Sequence, residues 1–171
     1  RSDSDRPVLV QAQVTAENRI DPARAQPIDR GLGIHRTYER LDDENRPGPI
    51  DGLRVGDRVL VTLRLDVPED VDWLAVEDPI PAVLEPVQGV FRTEGRTAHP
   101  MIPEWSSDFR EIRGDRVRHF KNHVPEGIHW IRYLARVRSA GDVVAPPARV
   151  EAMYDPDRFG HSAGGRIQTA P

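Results

Sequence analysis

The sequence predicts an all-β fold, an antiparallel β-sandwich of the immunoglobulin-like kind. Several segments alternate apolar and polar residues with a period of two, which is typical of strands with one buried face. These segments lie close together along the chain and are separated by turns that draw on its 16 prolines and 13 glycines. No segment has a convincing amphipathic helical pattern, and this combination favours packed antiparallel sheets.

The first 30 residues are predicted to be a lead-in strand and linker, and residues 31–171 to be the sandwich domain. Residues 1–7 are charged and rich in small side chains, which is typical of a disordered lead-in. Residues 18–30 contain two prolines and no sustained period, so we expect a loop there. Between these segments a short strand is predicted from alternation at Val8, Val10, Ala12 and Val14.

Two strands open the domain. The first is expected to carry on one face Leu32, Ile34, Arg36 and Tyr38. Residues 41–50 are acidic and rich in Pro and Gly, which predicts a loop. The clearest strand follows the turn signal of residues 55–58, and its buried face is predicted to carry Val59, Val61, Leu63, Leu65 and Val67. The opposite face, which includes Leu60, is expected to be mostly solvated.

In the middle of the chain the residue pattern predicts a short strand and a hairpin, with a segment between them for which no secondary structure is predicted. Residues 73–77 form the strand, which Asp78 and Pro79 should end because proline cannot donate to a sheet ladder. Residues 89–109 show no pattern that predicts an element. The hairpin spans residues 117–137 around a turn at 125–127, and its second strand should point inward Ile131, Tyr133, Ala135 and Val137.

Residues 141–152 predict a last long strand, and Pro146 and Pro147 confine its first part to a sheet edge or an irregular entry. The aromatic-bearing segment after it is predicted to be a loop, and the small residues at 160–165 indicate a flexible loop or bulge. A final short strand is expected at residues 166–169.

Composition excludes several kinds of function. The chain has a net charge of −4 and a pI of about 5.9, and its arginines are scattered, so nucleic acid is not an expected partner. No apolar run approaches the roughly 20 residues of a membrane helix. There is no cysteine, and therefore no disulfide, thiolate metal site or internal thioester within these residues. The chain begins at Arg1 without a signal segment, which indicates a piece of a longer polypeptide.

No residue pattern indicates catalysis, a metal site or a cofactor. His119 and His123 have the spacing of a helical metal motif, but on a strand they lie roughly 13 Å apart along the axis. Glu77 and Asp78 are adjacent on a strand and should point to opposite faces. Asp155 and Asp157 lie on either side of Pro156, and an Asp next to a proline more often caps a turn.

Two aromatic positions leave alternatives open. Met153 and Tyr154 either close the end of the sandwich or project from a strand end to cover a neighbouring surface, for which a flexible thioether beside an aromatic ring is suited. Trp105 lies in a loop, where it either binds a carbohydrate or protein or packs back on its own domain.

The ordered motifs of the chain resemble the C-terminal domain of the bacterial alpha-2-macroglobulins, over residues 31 to 166. They comprise GLGIHRTY (31–38), LRVGDRVLVT (53–62), VEDPIPA (76–82), DRVRHF (115–120), PEG (125–127), IRYLAR (131–136) and MYDP (153–156). The resemblance implies a macroglobulin-like β-sandwich within a broad-spectrum endopeptidase inhibitor that traps attacking proteases. It also implies a periplasmic, membrane-anchored lipoprotein parent with a role in bacterial defence.

The same resemblance implies a role for one turn. In this family the last domain packs on a thioester domain and shields the thioester from water, and we carry that interface role to Met153, Tyr154 and Asp155. The expected partners are neighbouring domains of the same polypeptide and, through the full-length protein, proteases, with no direct membrane contact by this domain. The rival hypothesis is a standalone extracytoplasmic adhesive or carbohydrate-binding module, with Trp105 in its site. A hydrolase on a sandwich scaffold ranks third.

Overall fold

The computed structural model describes residues 21–87, 105 and 107–171, and it confirms the all-β prediction. These residues form a short 3₁₀ helix at Pro22–Arg24 and strands joined by short turns. The strands are β1 Ile28–Arg30, β2 Gly33–Leu41, β3 Pro47–Gly48, β4 Leu53–Arg54, β5 Arg58–Val67, β6 Val71–Pro79, β7 Leu84–Pro86, β8 Phe109–Ile112, β9 Arg116–Val124, β10 Gly127–Val137, β11 Gly141–Ala145, β12 Arg149–Ala152, β13 Asp155–His161 and β14 Gly165–Ala170.

Two large sheets form the layers of the sandwich. The first has the strand order β1-β13-β12-β6-β9-β8, and the second has the order β3-β2-β5-β10-β7. A small third sheet, β11-β14-β4, packs against the same core. The paired strands run antiparallel, except that β4 and β14 are parallel.

The core consists of two apolar clusters. One joins β2, β5 and β10 of the second sheet to β6, β9 and β12 of the first, and it includes Leu32, Leu63, Leu65, Leu74, Val76 and Val150. The other adds the small sheet through Leu53, Ala145 and Ile167. The inward residues predicted on β5 and β10 are all buried, as expected. Leu60, expected on a solvated face, is also buried, because its cross-strand neighbours Glu39 and Leu134 flank it on both sides.

Two strand boundaries were wrong where proline was the signal. The strand does end at Pro79, but Asp78 and Pro79 belong to it, pairing with Val117 and Arg116. Pro79 is tolerated because it is the last residue, where the missing N–H interrupts nothing. The single strand expected at 141–152 is two strands in different sheets, because the prolines at 146 and 147 let the chain cross from the small sheet to the first.

Two predicted loops contain strands. Residues 28–30 form β1, whose three residues are all exposed and therefore show no alternation; pairing with β13 makes them a strand. The aromatic-bearing segment forms β13, which includes Gly160 and His161. Gly160 is buried between β1 and β12, and a Cβ there would lie 2.1 Å from the carbonyl oxygen of Leu32. The glycine thus serves close packing and not loop flexibility.

Some predictions are not tested by this structure. The strand over Val8–Val14 and most of the 89–109 segment lie outside the described residues. The division of the chain at residue 30 stays a prediction. The described part of the chain contains no helix long and apolar enough to cross a bilayer.

Candidate functional site

Met153 and Tyr154 form the two-residue turn of the β12–β13 hairpin. The flanking Ala152 and Asp155 are paired across the ladder, next to a register shift at Glu151. The turn holds its side chains outside the sandwich, so Met153 is 47% exposed and Tyr154 is 78% exposed. Of the two alternatives, the structure therefore favours projection from a strand end over closure of the core.

Trp73 on β6 completes this exposed surface. Its ring meets the Tyr154 ring edge to face, with the ring centroids 6.1 Å apart and the planes at 89°. Its carbonyl oxygen accepts a 2.8 Å hydrogen bond from the amide of Met153. The Trp73 side chain is 48% exposed. We call Trp73, Met153 and Tyr154 the apolar tip.

The backbone of Trp73 is in the left-handed region, with φ of +59°. That conformation is a genuine outlier for a bulky side chain and costs on the order of 1–3 kcal/mol. It resets the alternation of β6, because Val71 and Leu74 both face the core while Asp72 and Trp73 between them are both exposed. Trp73 was not among the site residues predicted from the sequence, although alternation from Leu74 and Val76 placed this tryptophan on the solvent face.

Glu77 and Asp78 point to opposite faces of β6, as predicted. The Glu77 carboxylate accepts from Arg118 at 2.5 Å on the outer face. Asp78 is fully buried and accepts from the Arg36 guanidinium at 2.5 Å and from the Tyr133 hydroxyl at 2.6 Å. Burial raises the pKa of the Asp78 carboxyl, and Arg36 and Tyr133 offset this only in part. This network spans β2, β6 and β10 and is structural.

His119 and His123 face different environments. His119 is buried, its Nδ1 lies 2.6 Å from the Ser107 hydroxyl, and burial with the positive charge of Arg110 lowers its pKa to about 4. The exposed His123 instead pairs with Asp72 at 2.8 Å. No group of three His, Cys, Asp or Glu side chains among the described residues could hold a metal ion.

Trp105 packs back onto its own domain. Its ring contacts the first core cluster and stacks on His119, with the ring centroids 6.4 Å apart. A second imidazole, His129, lies 6.3 Å from it. Of the two alternatives for this residue, the structure favours packing on its own domain. The acidic pair Asp155 and Asp157 lies exposed at the start of β13, beside the apolar tip.

The arrangement at the hairpin end is suited to docking and not to bond-making. A tryptophan on β6 and a methionine and a tyrosine in the adjoining turn lie exposed at this end, and aromatic anchors of this kind are enriched in protein interfaces. Tyr154 offers a phenol that keeps one polar atom beside a large apolar ring.

Comparison with known proteins finds alpha-2-macroglobulins among the relatives of this chain. The family model described as the bacterial alpha-2-macroglobulin MG10 domain matches residues 31–157. An alpha-2-macroglobulin homolog from Nostoc sp. is 32% identical over 144 residues, which cover 84% of this chain but 7% of that protein. A second curated relative, Circularly permutated Ras protein 2 of Dictyostelium discoideum, is 31% identical over 144 residues, which cover 80% of this chain and 3% of that protein. The chain therefore spans a small part of the length of both relatives.

Solved structures agree in fold. The structure of trypsin-activated alpha-2-macroglobulin from Escherichia coli matches with a TM-score of 0.72 and 26% identity, over 86% of this chain and 11% of that one. Native Escherichia coli alpha-2-macroglobulin from domain MG7 to the C-terminus matches with a TM-score of 0.70 and 27% identity, over 85% of this chain and 24% of that one.

Proposed function

Because this chain belongs to the family of bacterial alpha-2-macroglobulin MG10 domains, we propose that it is the docking domain of a longer, protease-trapping polypeptide. In this proposal Met153, Tyr154 and Asp155 pack on a neighbouring domain and shield its thioester. The observation that carries the proposal is the exposure of Tyr154, an aromatic ring held outside its own core on a two-residue turn. We propose that the parent lies in the periplasm, anchored to a membrane as a lipoprotein.

The chemistry in this proposal belongs to the neighbouring domain. A thioester carbonyl is attacked by water or an amine, which forms an acid or an amide and releases the cysteine thiol. This chain has no cysteine, so the thioester must lie elsewhere in the parent. The apolar tip contributes by excluding water and small nucleophiles from the carbonyl until the two domains separate.

Three features of the turn suit this shielding role. The Tyr154 ring is fixed by the edge contact with Trp73, and the backbone of Met153 is fixed by its bond to the Trp73 carbonyl. A side chain that is already positioned loses little conformational freedom on docking. The Met153 thioether adapts to an irregular surface because its side chain is unbranched and flexible.

The test uses the parent polypeptide, first sequenced to establish whether it contains a Cys-x-x-Gln segment. Thiol release on exposure to methylamine is then measured in the unmodified parent and in the Tyr154→Ala variant. We expect the variant to release thiol at least tenfold faster, because the carbonyl is exposed. Val55→Ala, at an exposed apolar residue in the turn before β5, at the opposite end of that strand, is the matched control. Equal rates in all three proteins would remove the shielding role, and a parent without a thioester would do the same.

Protease trapping and location are tested separately. The intact parent should retain an active protease after cleavage, so that the protease still hydrolyses small peptides but not large proteins. Fractionation of the source cells with an antibody to this domain should place the parent in the membrane-bound periplasmic fraction. If the antibody detects only a protein no larger than this chain, the proposal is contradicted.

A further inference from the structure

We propose that Trp73 is a third contact residue of the docking surface, and that the neighbouring face that covers it is apolar with a cationic rim. This inference rests on the proposed docking of Met153 and Tyr154. It goes beyond it by adding a residue on a different strand and by stating the chemistry of the opposing face.

The first argument is the backbone of Trp73. A tryptophan at φ +59° is unfavourable, because glycine or asparagine adopts this conformation more readily. The residue is 48% exposed, and it is not part of either core cluster. Strained residues of this kind cluster at binding sites, where the surrounding structure maintains them. Here the maintenance comes from buried neighbours on both sides, Val71 and Leu74. A contact between the exposed ring and a neighbouring domain accounts for a tryptophan at this strained position.

The second argument is the geometry of the apolar tip. The Trp73 carbonyl accepts a hydrogen bond from the Met153 amide, and the Trp73 ring contacts the Tyr154 ring. The Trp73 and Tyr154 rings therefore form one surface, and the backbone hydrogen bond holds the turn that carries Met153 against β6. A neighbouring domain surface that covers Tyr154 and Met153 should also contact Trp73, because the Trp73 ring touches the Tyr154 ring.

The third argument is the charge around the apolar tip. Three turns meet at this end of the sandwich, and the amide of Glu126 in one of them donates a 2.8 Å hydrogen bond to Asp70 in another. The exposed carboxylates of these turns and the adjoining strand ends are Glu69, Asp70, Asp72, Glu126, Asp155 and Asp157. Arg158 and His123 each pair with one of them. An opposing face with Lys or Arg around an apolar centre complements this surface, and one with carboxylates is repelled.

Hydroxyl-radical footprinting tests the inference, since tryptophan, methionine and tyrosine side chains all report on their exposure. Oxidation is compared between the 171-residue chain and the parent polypeptide, with Trp130 on the outer face of the other sheet as an internal reference. We expect Trp73, Met153 and Tyr154 each to be at least fivefold less oxidised in the parent. Protection of Met153 and Tyr154 without Trp73 overturns this inference and leaves the proposed docking intact. Absence of protection at all three overturns both.

A glycine substitution separates contact from folding. Trp73→Gly removes the ring and relieves the strained backbone, so the melting temperature of the 171-residue chain should stay equal or rise. In the parent the same substitution should raise the oxidation of Tyr154 severalfold. A Tyr154 footprint that is unchanged in the variant parent overturns the contact role, whatever happens to the melting temperature.

The cationic rim is tested by charge reversal. Asp157→Lys in the parent should raise the oxidation of the apolar tip severalfold, and 0.5 M salt should reduce the difference between variant and parent. Glu85→Lys, at an exposed carboxylate on β7, is the control. Protection that is unaffected by Asp157→Lys overturns the cationic rim while leaving the Trp73 contact standing.

Discussion

The guanidinium of Arg36 donates a hydrogen bond of 2.5 Å to the carboxylate of Asp78 in the interior of the sandwich. The two side chains are 3% and 0% exposed. Arg36 also donates to the carbonyl of Pro146 at 2.6 Å, where the chain crosses from the small sheet to the first sheet. The pair therefore joins both large sheets to the segment that changes sheet.

Removing one partner of this pair should destabilise the domain strongly. Asp78→Asn keeps the shape of the side chain but leaves the Arg36 cation buried without its counter-charge, and such changes cost about 3–5 kcal/mol. Urea unfolding measures the free energy. The adjacent Glu77→Gln, on the partly exposed face, should change it by about 1 kcal/mol or less. Similar values for the two variants would show that the buried pair is not the cause.

Removal of the Tyr154 ring should leave the fold intact. The ring is 78% exposed, so Tyr154→Ala should change the free energy of unfolding by about 0.5 kcal/mol or less. Tyr133→Ala, at a buried tyrosine, should cost about 3–5 kcal/mol. Thermal melts of both variants decide the matter, and a large drop for Tyr154→Ala would assign its ring to the core instead of to an interface.

Stability should fall in mild acid because of His119. The unfolded chain binds a proton at His119 near pH 6.5, whereas burial lowers the pKa in the folded state to about 4. The unfolded state therefore holds more protons between these values, and stability is complete above pH 6.5 and declines as the pH falls towards 4. The loss amounts to about 3 kcal/mol. Urea unfolding of the unmodified 171-residue chain at several pH values should show this fall in the free energy of unfolding, and His119→Gln should show a smaller fall. His35→Gln, at an exposed position, should keep the full fall.

Gly160 should tolerate no side chain. A Cβ at this position would lie 2.1 Å from the carbonyl oxygen of Leu32, which is backbone and cannot move aside cheaply. Gly160→Ala should therefore cost about 1–3 kcal/mol or more, as overpacking does. Gly114→Ala, where a Cβ meets nothing within 4 Å, is the control. Equal melting temperatures for the two variants would contradict the contact.

Alternation was a reliable guide where a strand has one face in the core. It identified the buried sides of β5 and β10 and the inward face of β2, including Arg36. It failed at β1, which is exposed on every residue. In β6 it holds from Trp73 onwards but does not extend back to Val71, because the consecutive residues Asp72 and Trp73 are both exposed. Proline correctly marked the end of β6, but the strand runs through Pro79 instead of stopping at residue 77.

The amino-acid sequence by itself determined the fold class, many of the strands along the chain and the family resemblance, because periodic burial and turn residues are local properties. It also named Met153, Tyr154 and Asp155 as residues to examine. Only the tertiary structure decided that the hairpin turn projects from the core, that Trp73 lies against it, and that Asp78 is the buried partner of Arg36. These facts depend on residues distant in sequence that meet across sheets, and pairing between distant segments leaves no periodic trace in either one.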